Sequence, residues 1–485
     1  MKYVKQYLTG LITMILCVGA AVAADTLPLS DYLSQVRAKN PELQAIDMGI
    51  AAMGQKIQEL DMVYSPLLNG SYNYTDDRGG AAFGSSLPTN RMTANSINMN
   101  ASKKFLFGST VSLGVNCMDA TFDLVEPTQI IGPNKLSQFT GYDVKPFARI
   151  EQSLLRDFKS GLTLSGINKA RSAMASVRYG QVFRKQQLHM KATMTYWALA
   201  LAREVVSFRQ LSLARTEKLL KWNENRVTLD LAEPVDLLQA QAAYKLRQLN
   251  LQQALDDTVK ASRDANEMLG DSSENIAWNA TNILQGATGT APLDRTGARA
   301  DVLAARAQFQ SSEFAKRETY YRSLPELSVL GTYSLHGIAL SSHDAWNQVS
   351  NTERPAYTVG LAFVVPLDYK TLNTVKSGYE KDYLSAQETL KKTELAAKND
   401  WDQLQRTLSN VRQRLMLAVQ IRDIQEQRVT SEQKRFERGR TTTFQLLQAE
   451  TDLDDASLIV YRLKYEELAT LAQAELYHNS EIIKN

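Results

Sequence analysis

The feature that most restricts this chain is that it is written twice. Residues 40–66 align without a gap on residues 299–325. Ala45 then meets Ala304, Glu59 meets Glu318, Pro66 meets Pro325 and, just beyond, Leu68 meets Leu327. Farther along, Leu237-Leu238-Gln239-Ala240-Gln241 matches Leu446-Leu447-Gln448-Ala449-Glu450. Each pentapeptide lies well downstream of its own half's proline marker. Self-similarity over such a distance indicates one large unit duplicated, not a stack of short repeats. The implied division is a first repeat over 24–270, a joining segment over 271–298 rich in Gly, Ala, Ser and Thr, and a second repeat over 299–485.

Within each half the hydrophobic period changes in the same order. Leu29 to Tyr64 reads helical, and Pro66 stops it. Strict alternation follows, with Leu68, Gly70, Tyr72 and Tyr74 on one face and Asn69, Ser71, Asn73 and Thr75 on the other. In the second half Leu327, Val329, Gly331 and Tyr333 alternate with Ser328, Leu330, Thr332 and Ser334. Returning strands are expected over 142–152 and 357–366. The first half also carries a hairpin signal over 96–116 with no counterpart in the second. There Ile97, Met99 and Ala101 alternate, Phe107-Gly108-Ser109 turns, and Val111, Leu113 and Val115 alternate again. The expectation is an inserted hairpin in an exposed loop near the cell surface, outside the main sheet.

Long helices follow the returning strands, from Leu154 to about Asn225 and from Leu367 to about Glu437, both without proline. A helix of ~70 residues rises roughly 100 Å and needs a partner along its length. The partner is written downstream. Leu446, Ala449, Leu453, Ala456, Val460 and Leu463 keep a three–four spacing, and Leu237, Ala240, Tyr244, Leu251 and Ala254 keep the same register. Arg247 interrupts the first-copy seam once. The helices before the strands and after the turns, at ~35–40 residues each, would together match the long helix beside them.

The first residues bear on compartment. Lys2 and Lys5 precede the apolar run from Leu8 to Val18, and small residues lead to a cut after Ala23 in Ala21-Val22-Ala23. This is the order of a secretory signal over 1–23. Cys17 is not a lipidation site, because Leu16 stands where Gly or Ala would be wanted. Beyond the signal only Cys117 remains, so no intramolecular disulfide can form. Net charge of +3, with acids and bases interspersed, gives no case for nucleic acid. No later run of 18 or more apolar residues marks a spanning helix. Export without such a helix leaves a soluble protein or an outer-membrane β-barrel.

Four strands per chain cannot close a barrel, which takes about eight, so several chains must share one. At this point the chain resembles the TolC-type outer-membrane efflux proteins. The likeness is carried by Asn40-Pro41-Glu42-Leu43, Gln152-Ser153-Leu154-Leu155, Val365-Pro366-Leu367, Arg435-Phe436-Glu437-Arg438-Gly439 and Leu446-Leu447-Gln448-Ala449. Their order, twice over, covers nearly the whole chain. The resemblance implies a mainly α protein with β structure: long helical coiled-coil hairpins plus a transmembrane β-barrel shared between three chains, twelve strands in all. It also implies a homotrimer in outer-membrane lipid, a periplasmic helical tunnel, and docking to a periplasmic adaptor and an inner-membrane pump. The turns between helices, 226–236 and 435–445, would face the adaptor and narrow the tunnel. Leu229, Asp230, Leu231, Arg438 and Gly439 are then expected at the adaptor, and Asp236, Gln445, Gln448, Phe436, Arg435 and Arg440 at the pore constriction. Family members often carry aspartates where Gln445 and Gln448 stand. Gly439 suits a left-handed turn, while Thr442 or Thr443 and Glu233 would cap the following helices.

No catalytic constellation accompanies this pattern. The four histidines, His189, His336, His343 and His478, have no partner at metal-ligand spacing, and no nucleophile-elbow, H-E-x-x-H or phosphate-loop motif occurs. No cofactor or metal is expected. Gly79-Gly80 to Gly84 reads as a loop, and Tyr196-Trp197 as packing. Two other classes compete with a transport channel. A periplasmic adaptor would carry one helical hairpin between split lipoyl-like β segments, and an adhesive coiled coil would lack paired amphipathic strands. The cargo is not written in the chain.

Overall fold

The computed structural model describes residues 26–78, 89–129, 135–229, 233–274, 278–286, 295, 297–352 and 354–478. The secretory signal, the Gly79–Gly84 stretch, Asp230 and Leu231 lie outside these residues. In chain order the elements are β1 (Thr26–Leu27), α1 (Leu29–Lys39), α2 (Pro41–Lys56), a 3-10 segment (Ile57–Tyr64), β2 (Leu67–Asp77), β3 (Thr89–Lys104), β4 (Ser109–Gln129) and β5 (Lys135–Ser153). Next come α3 (Gly161–Thr228), α4 (Pro234–Met268), β6 (Asn279–Ala280), α5 (Ala300–Arg322), β7 (Glu326–Leu335), β8 (Gly337–Ala339), α6 (Ser342–Ser350), β9 (Pro355–Val364), α7 (Tyr369–Glu437) and α8 (Thr443–Ala474). The mainly helical class with one large sheet agrees with the expectation.

Local chemistry explains most boundaries. Pro66 and Pro325 each stand immediately before a strand, β2 and β7, where a missing N–H and a fixed φ end the helix and cost the sheet nothing. Two helical expectations need correction. The stretch 29–64 is broken at Asn40, whose ψ of 118° is extended because Pro41 disfavours a helical residue before it. The Asn40 side chain then accepts from Leu43 N at 3.0 Å, restarting the helix as its cap. In the second copy the corresponding helix is α5, only 23 residues long rather than 35–40. The long helices α3 and α7 run unbroken for 68 and 69 residues.

The chain divides into two compact units that cut across the repeats. The first takes residues 1–50, 179–302 and 394–485 and is helical. Its main core gathers Tyr32, Val36, Tyr196, Trp197, Ile283 and Leu468. Tyr196 is fully buried and donates to the Leu27 carbonyl at 2.7 Å, so it and Trp197 serve packing. Along α8 all six seam residues from Leu446 to Leu463 are buried, Ala449 and Leu453 against Val429, and Val460 and Leu463 against Ala418 of α7. Burying small and branched residues in this register is what lets two such helices lie close.

The second unit takes residues 51–178 and 303–393 and holds the sheet. Its strands run antiparallel in the order β2-β3-β4-β5-β7-β9, with β8 beside β5. The expected exposed hairpin over 96–116 is therefore not a loop insertion. It forms parts of β3 and β4, paired on both sides inside one sheet. Its turn also sits at the end of the sheet that enters the helices, not the opposite end. Gly108, at φ 87°, lies against the chain just before α3, and an added Cβ would collide with the Asp157 carbonyl. Lys104 clamps Asp157 at 2.6 Å, and Asp157 in turn accepts from the Thr163 amide at 3.0 Å in the first turn of α3. The alternating residues are strands, as expected, but their location depends on strand partners, which alternation does not name. Pro146, within β5, falls between the residues bonded to β7 and those bonded to β8, so its missing N–H breaks no ladder bond there.

Candidate functional site

Strand pairing sorts the sheet into two chemically different faces. One lateral row runs Leu68, Ala101, Leu113, Ala148, Tyr333 and Tyr357, each opposite the next. Above and below it on the same face lie Tyr72, Ile97, Met99, Val115, Ile150, Val329, Val359 and Leu361. These residues are largely open in the single chain, Leu68 at 82% and Val359 at 79%. The opposite face carries Asn69, Ser71, Asn73, Asn98, Asn100, Ser102, Ser112, Asn116, Thr332 and Thr358. An apolar exposed face backed by amides and hydroxyls is the arrangement of a wall between lipid and water. Tyr72 and Tyr74 in β2, Tyr333 in β7 and Tyr357 in β9 lie on that face, and their amphipathic rings are of the kind a membrane interface favours. At the far end of the sheet this same face is covered, Val115, Cys117 and Val144 packing against Ala345 and Val349 of α6.

The two helical turns form the second half of the site. After α7, Gly439 adopts φ 68° and its N–H bonds the Phe436 carbonyl at 2.9 Å, while Arg440 N–H bonds the Arg435 carbonyl at 2.8 Å. This pair of bonds closes the helix end, and glycine is the residue that takes the left-handed position without strain. Thr442 then caps α8, its side chain accepting from Gln445 N at 3.3 Å. The first-copy turn is built differently. Glu233 makes no side-chain cap, against expectation, and Pro234 at the helix start supplies the preset φ instead. Thr442→Ala should cost about 1 kcal/mol, which would speed exchange of the Gln445 amide roughly fivefold. Unchanged exchange in a hydrogen–deuterium measurement would show that the cap contributes nothing.

The expected tip residues separate by burial. Arg435, Arg438, Arg440, Gln445 and Gln448 are exposed, Asp236 is half-buried in the first turn of α4, and Leu229 is 67% exposed. Phe436 differs: it is 4% exposed, packed with Leu219 of α3 and Leu446 of α8, with the Trp222 ring 6.4 Å away. Beside it Thr443 donates to the Asn223 side chain at 3.0 Å, linking α8 to α3. Arg435 pairs with Glu432 at 2.8 Å, and Gln448 donates to Asp452 at 2.8 Å. Gln445 accepts from Thr441.

Above the tips lies a charged cluster that sequence reading did not assemble. Asp454 of α8, fully buried, accepts from Ser212 at 2.7 Å and pairs with Arg247 at 3.0 Å and Arg215 at 3.2 Å. Arg209 reaches it at 3.6 Å. Burial pushes the neighbouring Glu450 carboxyl above its usual range, opposed by Arg215 and Arg247. The one sign of this cluster in the sequence was Arg247, the charge that interrupts the seam. Among the described residues no group of His, Cys, Asp and Glu could hold a metal ion, and no helix is long and apolar enough to cross a membrane.

Comparison with known proteins agrees with this geometry. Residues 295–477 match the family model of the outer membrane efflux protein. The outer membrane protein VceC of Vibrio cholerae is similar in structure, with TM-score 0.68 at 14% identity, over 93% of this chain and 95% of that one. The MtrE outer membrane channel of Neisseria gonorrhoeae aligns with TM-score 0.66 at 11% identity, over 93% and 88%. The Campylobacter jejuni CmeC outer membrane channel aligns with TM-score 0.61 at 12% identity, over 94% and 88%. No curated protein sequence matches the chain. Residues 295–477 are thus similar to the outer membrane efflux proteins, and over 93% of its length the chain has the fold of the outer-membrane channels.

Proposed function

We propose that the protein is the outer-membrane component of a tripartite efflux or type I secretion assembly, a passive homotrimeric conduit from periplasm to exterior. The observation that carries this reading is the two-faced sheet, largely apolar on one side and much richer in Asn, Ser and Thr on the other. A catalyst has no use for such a wall, whereas a water-filled passage through lipid requires one. A periplasmic adaptor is disfavoured, since both faces of such a protein would meet water. Exposed apolar residues on the helical unit support assembly with further copies: Leu417, Ile421 and Ile424 form a stripe on α7, and Leu246 and Leu249 are open on α4. Outer-membrane fractionation with native mass measurement tests the reading. A trimer in the outer membrane is expected, and a soluble periplasmic monomer would overturn it.

In this reading a periplasmic adaptor, joined to an inner-membrane pump, meets the helical turns at Leu229, Asp230, Leu231, Arg438 and Gly439. The constriction is lined by Gln445 and Gln448, with Asp236, Arg435 and Arg440 nearby, and Phe436 supports it from inside the packing. Threefold symmetry would bring amides together where three carboxylates would repel one another and attract cations. The closed state therefore depends on hydrogen bonds and the arginines more than on an acidic ring. Single-channel recording checks this. Gln445→Asp with Gln448→Asp should raise cation selectivity several-fold and introduce block by divalent ions. Unchanged selectivity and block would remove both glutamines from the pore.

A further inference from the structure

The barrel implied by the family resemblance has four strands from each chain, but this sheet has six long ones. Counted along the order β2-β3-β4-β5-β7-β9, they hold 11, 16, 21, 19, 10 and 10 residues. A tilted strand needs only about 9–11 residues to cross the hydrocarbon layer, so each of the six is long enough. The two extra strands, β3 and β4, are not appended to one surface. Ile97, Met99, Leu113 and Val115 continue the apolar face between Leu68 and Tyr72 on one side and Ala148 and Ile150 on the other. Asn98, Asn100, Ser102, Ser112 and Asn116 continue the polar face. Strands standing outside a wall would have no reason to share its two faces in register.

Among the described residues, the sheet ends at β2 and β9, each paired on one side only. Every residue of β2 is exposed. An unpaired edge within lipid leaves backbone donors and acceptors with neither water nor partner, so another strand must cover it. Because the six strands alternate in direction, β2 and β9 run opposite ways. The β2 of a second copy can thus continue the first copy's sheet beyond β9 with the same antiparallel polarity. A second copy of this chain is the occupant that repeats this fit at every junction and closes a ring.

We propose that all six strands of each chain stand in the barrel wall, and that β2 of one copy pairs with β9 of the next, giving eighteen strands in the trimer. This rests on the trimeric reading above. With strands about 4.8 Å apart and tilted about 40°, eighteen strands close a ring about 36 Å across, against about 24 Å for twelve. The backbone ring is then about half as wide again as a twelve-stranded one, and the passage inside it suits cargo bulkier than a small solute.

The test is a distance between equivalent positions in the intact assembly. Thr358→Cys in a Cys117→Ser background, spin-labelled in detergent or lipid, reports the spacing of β9 in three copies by pulsed electron resonance. Backbone positions related by threefold symmetry should lie about 31 Å apart for eighteen strands and about 21 Å apart for twelve. Cysteine pairs between β2 and β9 should also form disulfides between chains. A trimer by native mass with the shorter distance would overturn the six-strand wall and leave the conduit reading standing. A mass that is not trimeric would overturn both. A trimer with the longer distance but no link between β2 and β9 at any register would overturn the proposed seam.

Discussion

Replacing Asp454 by alanine should destabilise the helical unit by about 3–5 kcal/mol, among the largest losses any single substitution in this chain would bring. The carboxylate is fully buried and meets Ser212, Arg247 and Arg215 within 3.2 Å. Without it, three arginines from α3 and α4 lose their common counter-charge, and Arg247, itself buried, has no water to replace it. The loss should appear as a lower urea midpoint of the detergent-solubilised protein. A shift under about 1 kcal/mol would mean that the arginines relax to solvent. Glu450, beside them, should behave oppositely. Its carboxyl is held above the ordinary value of 4.5 by burial, so the fold favours the neutral form. That contribution is present below the unfolded value and is lost as pH rises through the raised one. Glu450→Gln should therefore be more stable than the parent at pH 7, with the advantage narrowing as pH falls toward about 4.5. A constant difference across that range would show that Glu450 does not titrate in the fold.

The second large effect belongs to the sheet. Val359→Arg should cost about 2–4 kcal/mol if the residue lies near the middle of the bilayer, because a guanidinium there must be drawn out of water. Val359 is 79% exposed in the chain, opposite Gly331 on the apolar face, so packing within one copy gives no reason for such a loss. Its neighbour Thr358 points to the other face, opposite Thr332. Thr358→Arg should cost under about 1 kcal/mol, since the polar face meets water. The yield of folded protein in the outer membrane separates the two. Equal tolerance of both substitutions would mean that the apolar face is not turned to lipid.

How much of this was readable from residues follows the range of the interactions concerned. Alternation in Leu68 to Thr75 and in Leu327 to Ser334 gave strands β2 and β7 nearly to the residue, since a strand's two faces are local facts. The proline-free runs gave α3 and α7, and the three–four spacing from Leu446 to Leu463 gave a buried seam. Gly439 marked a left-handed turn because few other residues enter that region without strain. The hairpin over 96–116 shows the limit. Its alternation was visible and its place was not, because the choice between loop and wall is made by β2 on one side and β5 on the other, whose pairing is non-local. The charged cluster was hidden for the same reason. Arg247 and Asp454 are two hundred and seven positions apart, and only the packing of α3, α4 and α8 brings them to 3.0 Å.

The sequence by itself determined the long helices, the alternating strands and, through the resemblance its motifs carry, the expectation of a conduit, because period, proline positions and motif order are local properties. Tertiary structure alone decided that Phe436 is packed inside the tip, that six long strands share one sheet and that, among the described residues, its open edges are β2 and β9. Those outcomes depend on which distant segments exclude water from one another, and a chain's local pattern carries no record of its partners.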